Sequence, residues 1–201
     1  MVKRIQDDMK THIPISRAVV TVLLATMMLA ACGGSDTASL LTSAKEYLAK
    51  KDNKSAAIQL KGALQKNPDL AEARFLLGKA LLDGGDPVSA ELELRKALEL
   101  KYPPDQVWPE LIRTLLATGQ SKRVIEEVAK ANVTGLESKA DLQNSLGVAY
   151  GLLGDVTASE KAISSALALK ADFAPAQVNF ARIKANSGEL AGSLADRKSV
   201  V

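Results

Sequence analysis

The chain has 201 residues, of which 47% are hydrophobic and only 3% are aromatic. Alanine and leucine carry most of the apolar content, which suits closely packed helices. The formal net charge of +3 is too small to predict nucleic-acid binding. The single histidine and the single cysteine are His12 and Cys32.

The chain begins with the parts of a secretory signal peptide. Residues 1–17 carry four basic side chains, Ala18–Met28 is an uncharged apolar run, and small residues follow as far as Ala31. This run is shorter than the roughly 20 residues of a membrane-spanning helix. We therefore predict a cleaved signal peptide at residues 1–31.

The segment Leu29-Ala30-Ala31-Cys32 resembles a bacterial lipobox. The resemblance implies a diacylglyceryl thioether on Cys32, cleavage before this residue and acylation of the new amino group. The lipid chains would anchor the protein to a membrane, with residues 32–36 as a lipidated tether. Gly33 in place of aspartate favours the outer membrane under the sorting rule of enterobacterial lipoproteins. The alternative is that Cys32 is a buried residue or a free thiol.

From Thr37 onward the sequence repeats. Four alanines lie 34, 34 and 35 residues apart, at Ala63, Ala97, Ala131 and Ala166. Four glycines lie 34, 35 and 34 residues apart, at Gly85, Gly119, Gly154 and Gly188. A period of this length, built from two helices, is typical of a tetratricopeptide array.

The unit Ala71–Pro104 shows the pattern most clearly. A predicted helix ends at Gly84-Gly85, because glycine permits positive φ. Asp86-Pro87 starts the second helix, with aspartate as the N-cap and proline at the first helical position. Pro103-Pro104 ends that helix. The inner faces are predicted to pair Leu77, Gly78 and Leu81 with Ala90, Leu94 and Ala97.

We predict five units in residues 37–70, 71–104, 105–139, 140–173 and 174–201, the last of them incomplete. The third is degenerate, because Ile112 and Val124 replace small residues and the connection Asn132–Ser138 is predicted to be loose. The fifth is predicted to turn at Gly188-Glu189. An uncapped last unit leaves apolar surface bare, so we expect a piece of a longer array. The alternative is that the C-terminal valines pack on the last helix pair.

These positions resemble the tetratricopeptide repeat from Thr37 to the C-terminus. The resemblance implies an all-α solenoid, a right-handed superhelix of helix pairs that binds other proteins. The lipobox, followed by the segments at 43–50, 63–70 and 72–82, also resembles the tetratricopeptide lipoproteins of PEP-CTERM/exosortase systems. Those proteins are encoded among exopolysaccharide genes in Gram-negative bacteria, and no catalytic residues come with the resemblance.

Beyond the predicted cleavage site the chain has no histidine, and its single cysteine, Cys32, is predicted to carry lipid and so to be no free thiol. This excludes Ser-His and Cys-His catalysis and the usual zinc sites. The carboxylate pairs Glu91/Glu93 and Glu126/Glu127 do not share a helix face and are interpreted as solvated. We therefore expect no enzymatic activity, no metal and no cofactor.

A candidate binding groove is predicted on the first helix of each unit, at the residue after the small mid-helix position. The five positions are Lys45, Lys79, Arg113, Val148 and Arg182. Four of them are basic, and stacking would align them as a positive stripe. Nearby turns carry Phe75, Gln106, Asn144 and Asn179. We predict that this groove holds an acidic peptide, a C-terminal carboxylate or an anionic polysaccharide. The alternative is that these side chains are solvated and only keep the array soluble.

The predicted function is a lipid-anchored scaffold for proteins at the periplasmic face of the outer membrane. It would serve exopolysaccharide assembly or export, or the sorting of PEP-CTERM proteins. One alternative is a general lipoprotein of outer-membrane or peptidoglycan assembly. Another is an accessory part of a larger enzyme.

Overall fold

The computed structural model describes residues 36–199, with side chains as far as Asn186. The predicted signal peptide, Cys32 and most of the tether lie outside the described residues. Every regular element within 36–199 is an α-helix, which confirms the all-α prediction. The helices are α1 (Thr37–Ala49), α2 (Asn53–Lys66), α3 (Ala71–Asp83), α4 (Pro87–Glu99), α5 (Pro104–Ala117), α6 (Ser121–Lys130), α7 (Leu136–Leu152), α8 (Val156–Leu169) and α9 (Ala174–Ser199).

The helices form pairs because the same turn recurs between them. Gly85, Gly119 and Gly154 hold φ values of 87°, 71° and 84°, which reverse the chain after α3, α5 and α7. An aspartate caps the next helix at three of the four turns. The capping carboxylates of Asp52, Asp86 and Asp155 accept from the backbone N–H three residues ahead, at 2.9–3.1 Å.

Small residues let the paired helices approach closely. A Cβ on Gly78 would lie 2.6 Å from Leu94 Cγ, and one on Gly147 would lie 3.0 Å from Ile163 Cδ1. Leu94 and Ile163 are almost completely buried against these glycines. The predicted pairing of Gly78 with Leu94 is therefore confirmed.

The third pair, α5 with α6, reverses the size pattern. Ile112 occupies the position of Gly78 and Gly147, and the smaller Val128 occupies the position of Leu94 and Ile163. Ile112 is completely buried, while Val128 packs at the edge of the same cluster. In this pair the larger residue lies on the first helix and the smaller one on the second, the reverse of the other two pairs. The pair still fills its core.

The connection between α6 and α7 is not loose, so that prediction is wrong. The Asp105 carboxylate accepts hydrogen bonds from the backbone N–H of Gly135 at 2.8 Å and of Thr134 at 2.9 Å, and from the Thr134 hydroxyl at 2.9 Å. Trp108 Nε1 donates to Asn132 Oδ1 at 3.1 Å. The bond from Gly135, followed by those from Thr134, holds the pKa of Asp105 below its usual range.

The predicted turn at Gly188 is also wrong, because α9 runs unbroken from Ala174 to Ser199. Two differences in sequence account for this. Glu189 stands where three of the other turns carry a capping aspartate. Arg197 stands where the second helices carry the apolar residues Leu60, Leu94, Val128 and Ile163. A second helix with arginine at this position could not bury its inner face.

Candidate binding clefts on the first helices

The first helices of the successive pairs, α1, α3, α5, α7 and α9, carry the predicted groove residues. The structure brings three of them together at the N-terminal end. Lys45 of α1 and Phe75 and Lys79 of α3 line a cleft of about 660 Å³, here called the N-terminal cleft. Its other lining residues are Leu48, Ala49, Lys51, Asn53, Leu76 and Asp83.

The N-terminal cleft combines an apolar floor with a basic rim. Phe75 is buried and stacks on Tyr102, with ring centroids 4.9 Å apart and an interplanar angle of 20°. It therefore forms part of the floor and does not project as an exposed ring. Lys45, Lys51 and Lys79 surround this floor, with Asp83 as the acidic lining residue.

The basic side chains of α1, α3 and α5 are paired with carboxylates. Lys45 Nζ lies 2.7 Å from Glu72, and Lys79 Nζ lies 4.0 Å from Glu110. Arg113 contacts both Asp83 at 2.6 Å and Glu110 at 2.9 Å. The predicted stripe is thus an alternation of opposite charges in this part of the chain. Lys45 and Lys79 remain about half exposed and accessible to a ligand.

Two carboxylates beside Arg113 sit in unfavourable surroundings. Glu110 side-chain exposure is only 17%, and its burial raises its pKa even though Arg113 and Lys79 oppose the shift. Burial likewise raises the pKa of Asp141 on α7, again against the influence of Arg113. Arg113 therefore offsets the cost of these carboxylates, which is a structural role and leaves it less available to a ligand.

A second cleft lies between α7, α8 and α9 at the other end of the array, and is here called the C-terminal cleft. Its volume is about 270 Å³, and it is lined by Gly147, Val148, Gly151, Leu152, Val156, Ser159, Ile163, Asn179, Arg182, Ile183 and Asn186. Three predicted residues, Val148, Asn179 and Arg182, meet here. Asn144, also predicted, is buried behind the cleft and accepts a hydrogen bond from Asn179 at 2.8 Å.

The predicted site is therefore divided between two clefts, with Arg113 between them in a network of ion pairs. Sequence reasoning missed Asp83 and Glu110, the carboxylates that bind Arg113. The sequence did contain a signal. Glu110 lies on the same first helix as Arg113, and Asp83 lies on the first helix of the preceding unit. It also missed Gly151, which stands where three other units have leucine.

Three of the four carboxylates interpreted as solvated are in fact ion-paired, while the fourth, Glu126, is exposed. Glu91 accepts hydrogen bonds from Arg95 at 2.9 Å and from Arg123 at 2.7 Å, and Glu93 contacts Arg74 at 2.6 Å. Glu127 lies 3.2 Å from Arg95. These contacts join α3 to α4 and α4 to α6, so they support the packing of the array.

Among the side chains that the structure describes, as far as Asn186, histidine, cysteine, aspartate and glutamate form no group of three that could hold a metal ion. Within residues 36–199, no helix combines the length and the apolar character needed to cross a bilayer.

Comparisons with known proteins agree with this architecture. Residues 41–104 match the family described as tetratricopeptide repeat. MamA (residues 41 to the end) from Desulfovibrio magneticus RS-1 superposes with a TM-score of 0.66 at 18% identity, over 83% of this chain and 94% of that one. The fold is a tetratricopeptide-repeat solenoid.

Two further structures share this solenoid. PilF from Pseudomonas aeruginosa gives a TM-score of 0.65 at 18% identity, over 76% of this chain and 69% of its own. TTC0263, a thermophilic tetratricopeptide protein of Thermus thermophilus, gives 0.61 at 21% identity, over 79% and 87%. At these identities the likeness concerns the fold alone. A comparison with curated protein sequences gave no match.

Proposed function

We propose that this protein is a non-enzymatic scaffold that binds partner proteins through the N-terminal cleft. The observation that carries the proposal is the cleft itself, whose apolar floor of Leu48, Phe75 and Leu76 is bordered by three lysines. An apolar floor favours amino-acid side chains, and the lysines favour carboxylates. An acidic peptide segment with an apolar residue fits both better than an anionic polysaccharide does.

We further propose that the scaffold works in the cell envelope of a Gram-negative bacterium, held by lipid on Cys32. The support is the sequence alone, namely the signal peptide and the lipobox-like segment. The likeness to tetratricopeptide lipoproteins of PEP-CTERM/exosortase systems favours a role in exopolysaccharide assembly or export, or in protein sorting. Labelled palmitate should enter the wild-type product and not a Cys32→Ala variant. Labelling of both products would contradict the anchor.

The cleft is tested by reversing charge on its rim. The variant Lys45→Glu/Lys79→Glu should lose the partners that wild type captures by crosslinking in envelope membranes. Both side chains are about half exposed, so helicity should not change. The matched control is Lys54→Glu/Lys61→Glu, which makes the same charge change at exposed positions of α2. Capture that survives in the rim variant, or is lost equally in the control, would count against this cleft.

A further inference from the structure

The C-terminal cleft exists because one side chain is missing. Gly151 occupies the position that Leu48, Leu82 and Leu116 occupy in the three preceding pairs, and those leucines are half-buried. A Cβ on Gly151 would make only ordinary contact, with Ser159 Oγ at 3.4 Å as its nearest neighbour. The space that a leucine side chain would fill is therefore open, and Ile163 is one of the residues that line it.

The floor of this cleft is apolar and reaches solvent at its mouth. Leu152 and Val156 are 64% and 54% exposed, although both are large aliphatic residues. The volume of about 270 Å³ is below the roughly 300–1,000 Å³ of ordinary small-molecule pockets. One bulky side chain suits this space better than a drug-sized ligand does.

A guanidinium that pairs with no carboxylate among the described side chains borders this apolar floor. Arg182 stands at the position of Lys79 and Arg113, both of which pair with carboxylates. Within the described part of the chain, Arg182 bonds to Asn179 Oδ1 at 3.4 Å and to no carboxylate. Asn186 also replaces the acidic Asp83 of the N-terminal cleft.

One asparagine contacts this cation, and a second asparagine orients the first. Asn179 donates through Nδ2 to the buried Asn144, so its Oδ1 is left to accept from Arg182. The amide pair thus directs the guanidinium without neutralising it. A guanidinium in this state binds a carboxylate through two parallel hydrogen bonds.

We propose that the C-terminal cleft binds a partner segment in which a bulky aliphatic side chain is followed by a carboxylate residue. The aliphatic group fills the space left by Gly151 against Ile163, and the carboxylate pairs with Arg182. This extends the proposed scaffold function to a second site, and it uses no residue of the N-terminal cleft. A lack of binding at one cleft would therefore not contradict binding at the other.

The test uses two blocked hexapeptides, Gly-Ser-Leu-Glu-Ser-Gly and its counterpart with glutamine in place of glutamate. Each is titrated into isotope-labelled protein while backbone amide shifts are recorded. We expect saturable shifts at Gly147, Gly151 and Asn179 with the glutamate peptide. The glutamine peptide should bind about tenfold more weakly, since it lacks the charge-assisted hydrogen bonds.

Two variants assign the binding to this cleft. Gly151→Leu restores the residue found at this position in the other pairs, so it should remain helical by circular dichroism and lose binding. Gly151→Ala adds only a methyl group to the cleft, so it should bind the glutamate peptide with reduced affinity. Judged by the shifts of Gly147, Gly151 and Asn179, Arg182→Gln should bind the two peptides equally. Lys161→Gln, which removes an exposed charge of α8 outside both clefts, should keep the preference for glutamate.

Three results with the peptides would overturn the proposal. They are the absence of saturable shifts with the glutamate peptide, equal affinity of wild type for both peptides, and undiminished binding by folded Gly151→Leu. Saturation by decanoate with no binding of either peptide would identify a fatty-acid site and would overturn it as well.

Discussion

The guanidinium of Arg113 lies 2.6 Å from the carboxylate of Asp83, a residue 30 positions earlier in the chain. This contact joins α3 to α5. Arg113 also contacts the largely buried Glu110 at 2.9 Å. An arginine at a predicted ligand-binding position therefore holds two neighbouring helix pairs together.

We expect Arg113→Ala to lower the free energy of unfolding by about 1–2 kcal/mol, because Glu110 would lose its nearest counter-charge while remaining buried. Urea titration followed by circular dichroism measures the change. Lys79→Ala is the control, since its contact with Glu110 is 4.0 Å long and the lysine is exposed. That variant should stay within about 0.5 kcal/mol of wild type, and equal losses would contradict the distinction.

The carboxyl group of Asp141 should make stability depend on pH in an unusual direction. Burial raises its pKa, Arg113 opposes the shift and Glu137 adds to it. The folded state then binds the proton more tightly than the unfolded state does. The stabilisation by this proton is complete below the ordinary value of 3.8 and is lost as the pH rises through the raised pKa.

Replacing this carboxyl group removes the effect. We expect Asp141→Asn to be more stable than wild type at about pH 7, with the difference closing as the pH falls towards about 4. Urea midpoints of both proteins across this range give the comparison. Wild type and variant share every other titrating group. A stability difference between them that stays constant with pH would therefore show that it does not arise from the charge of Asp141.

Lys51 is strained in a way that glycine would relieve. It adopts φ 58° at the position where the next three turns have Gly85, Gly119 and Gly154. We expect Lys51→Gly to raise the free energy of unfolding by about 1 kcal/mol. Glycine relieves the strain of the left-handed backbone, and the greater chain entropy of glycine in the unfolded state offsets part of this gain. Thermal unfolding of Lys51→Gly and Lys51→Ala tests this, because alanine keeps the backbone strain that glycine relieves. Equal melting temperatures for these variants would reject the strain.

Two helix-interior glycines should respond in opposite directions to alanine. At Gly78 the new methyl would lie 2.6 Å from Leu94 Cγ, so we expect a loss of about 1–3 kcal/mol from overpacking. At Gly62 it would make ordinary contact with Leu40 at 3.6 Å. Gly62→Ala should therefore gain up to about 1 kcal/mol from helix propensity. Denaturant titration compares them, and a gain at Gly78 would contradict the close approach.

The helix pairs were predictable because their signals are local. At Gly85-Asp86 and Gly154-Asp155 the turn glycine stands directly before the aspartate that caps the next helix, and such pairs determine where one helix ends and another begins. The close approach at Gly78 was predictable for a similar reason, since a helix-interior glycine needs a packing explanation.

The charges and clefts were less predictable because they depend on how successive pairs stack. Whether Arg113 reaches Asp83 depends on the rotation between α3 and α5, and sequence spacing does not report that rotation. The C-terminal cleft depends on the absence of a side chain at Gly151. The loop held by Asp105 depends on a contact across about 30 residues, which neither helix periodicity nor turn chemistry indicates.

The largest core cluster runs from Phe75 to Ala149 and lies between the two clefts along the chain. Close-packed protein interiors have low compressibility, so we expect the helices that this core joins to act as a stiff spacer. Two partners bound at the same time would be kept at a fixed separation from each other. Their encounter would then become intramolecular, with an effective concentration set by the number of helix pairs between them.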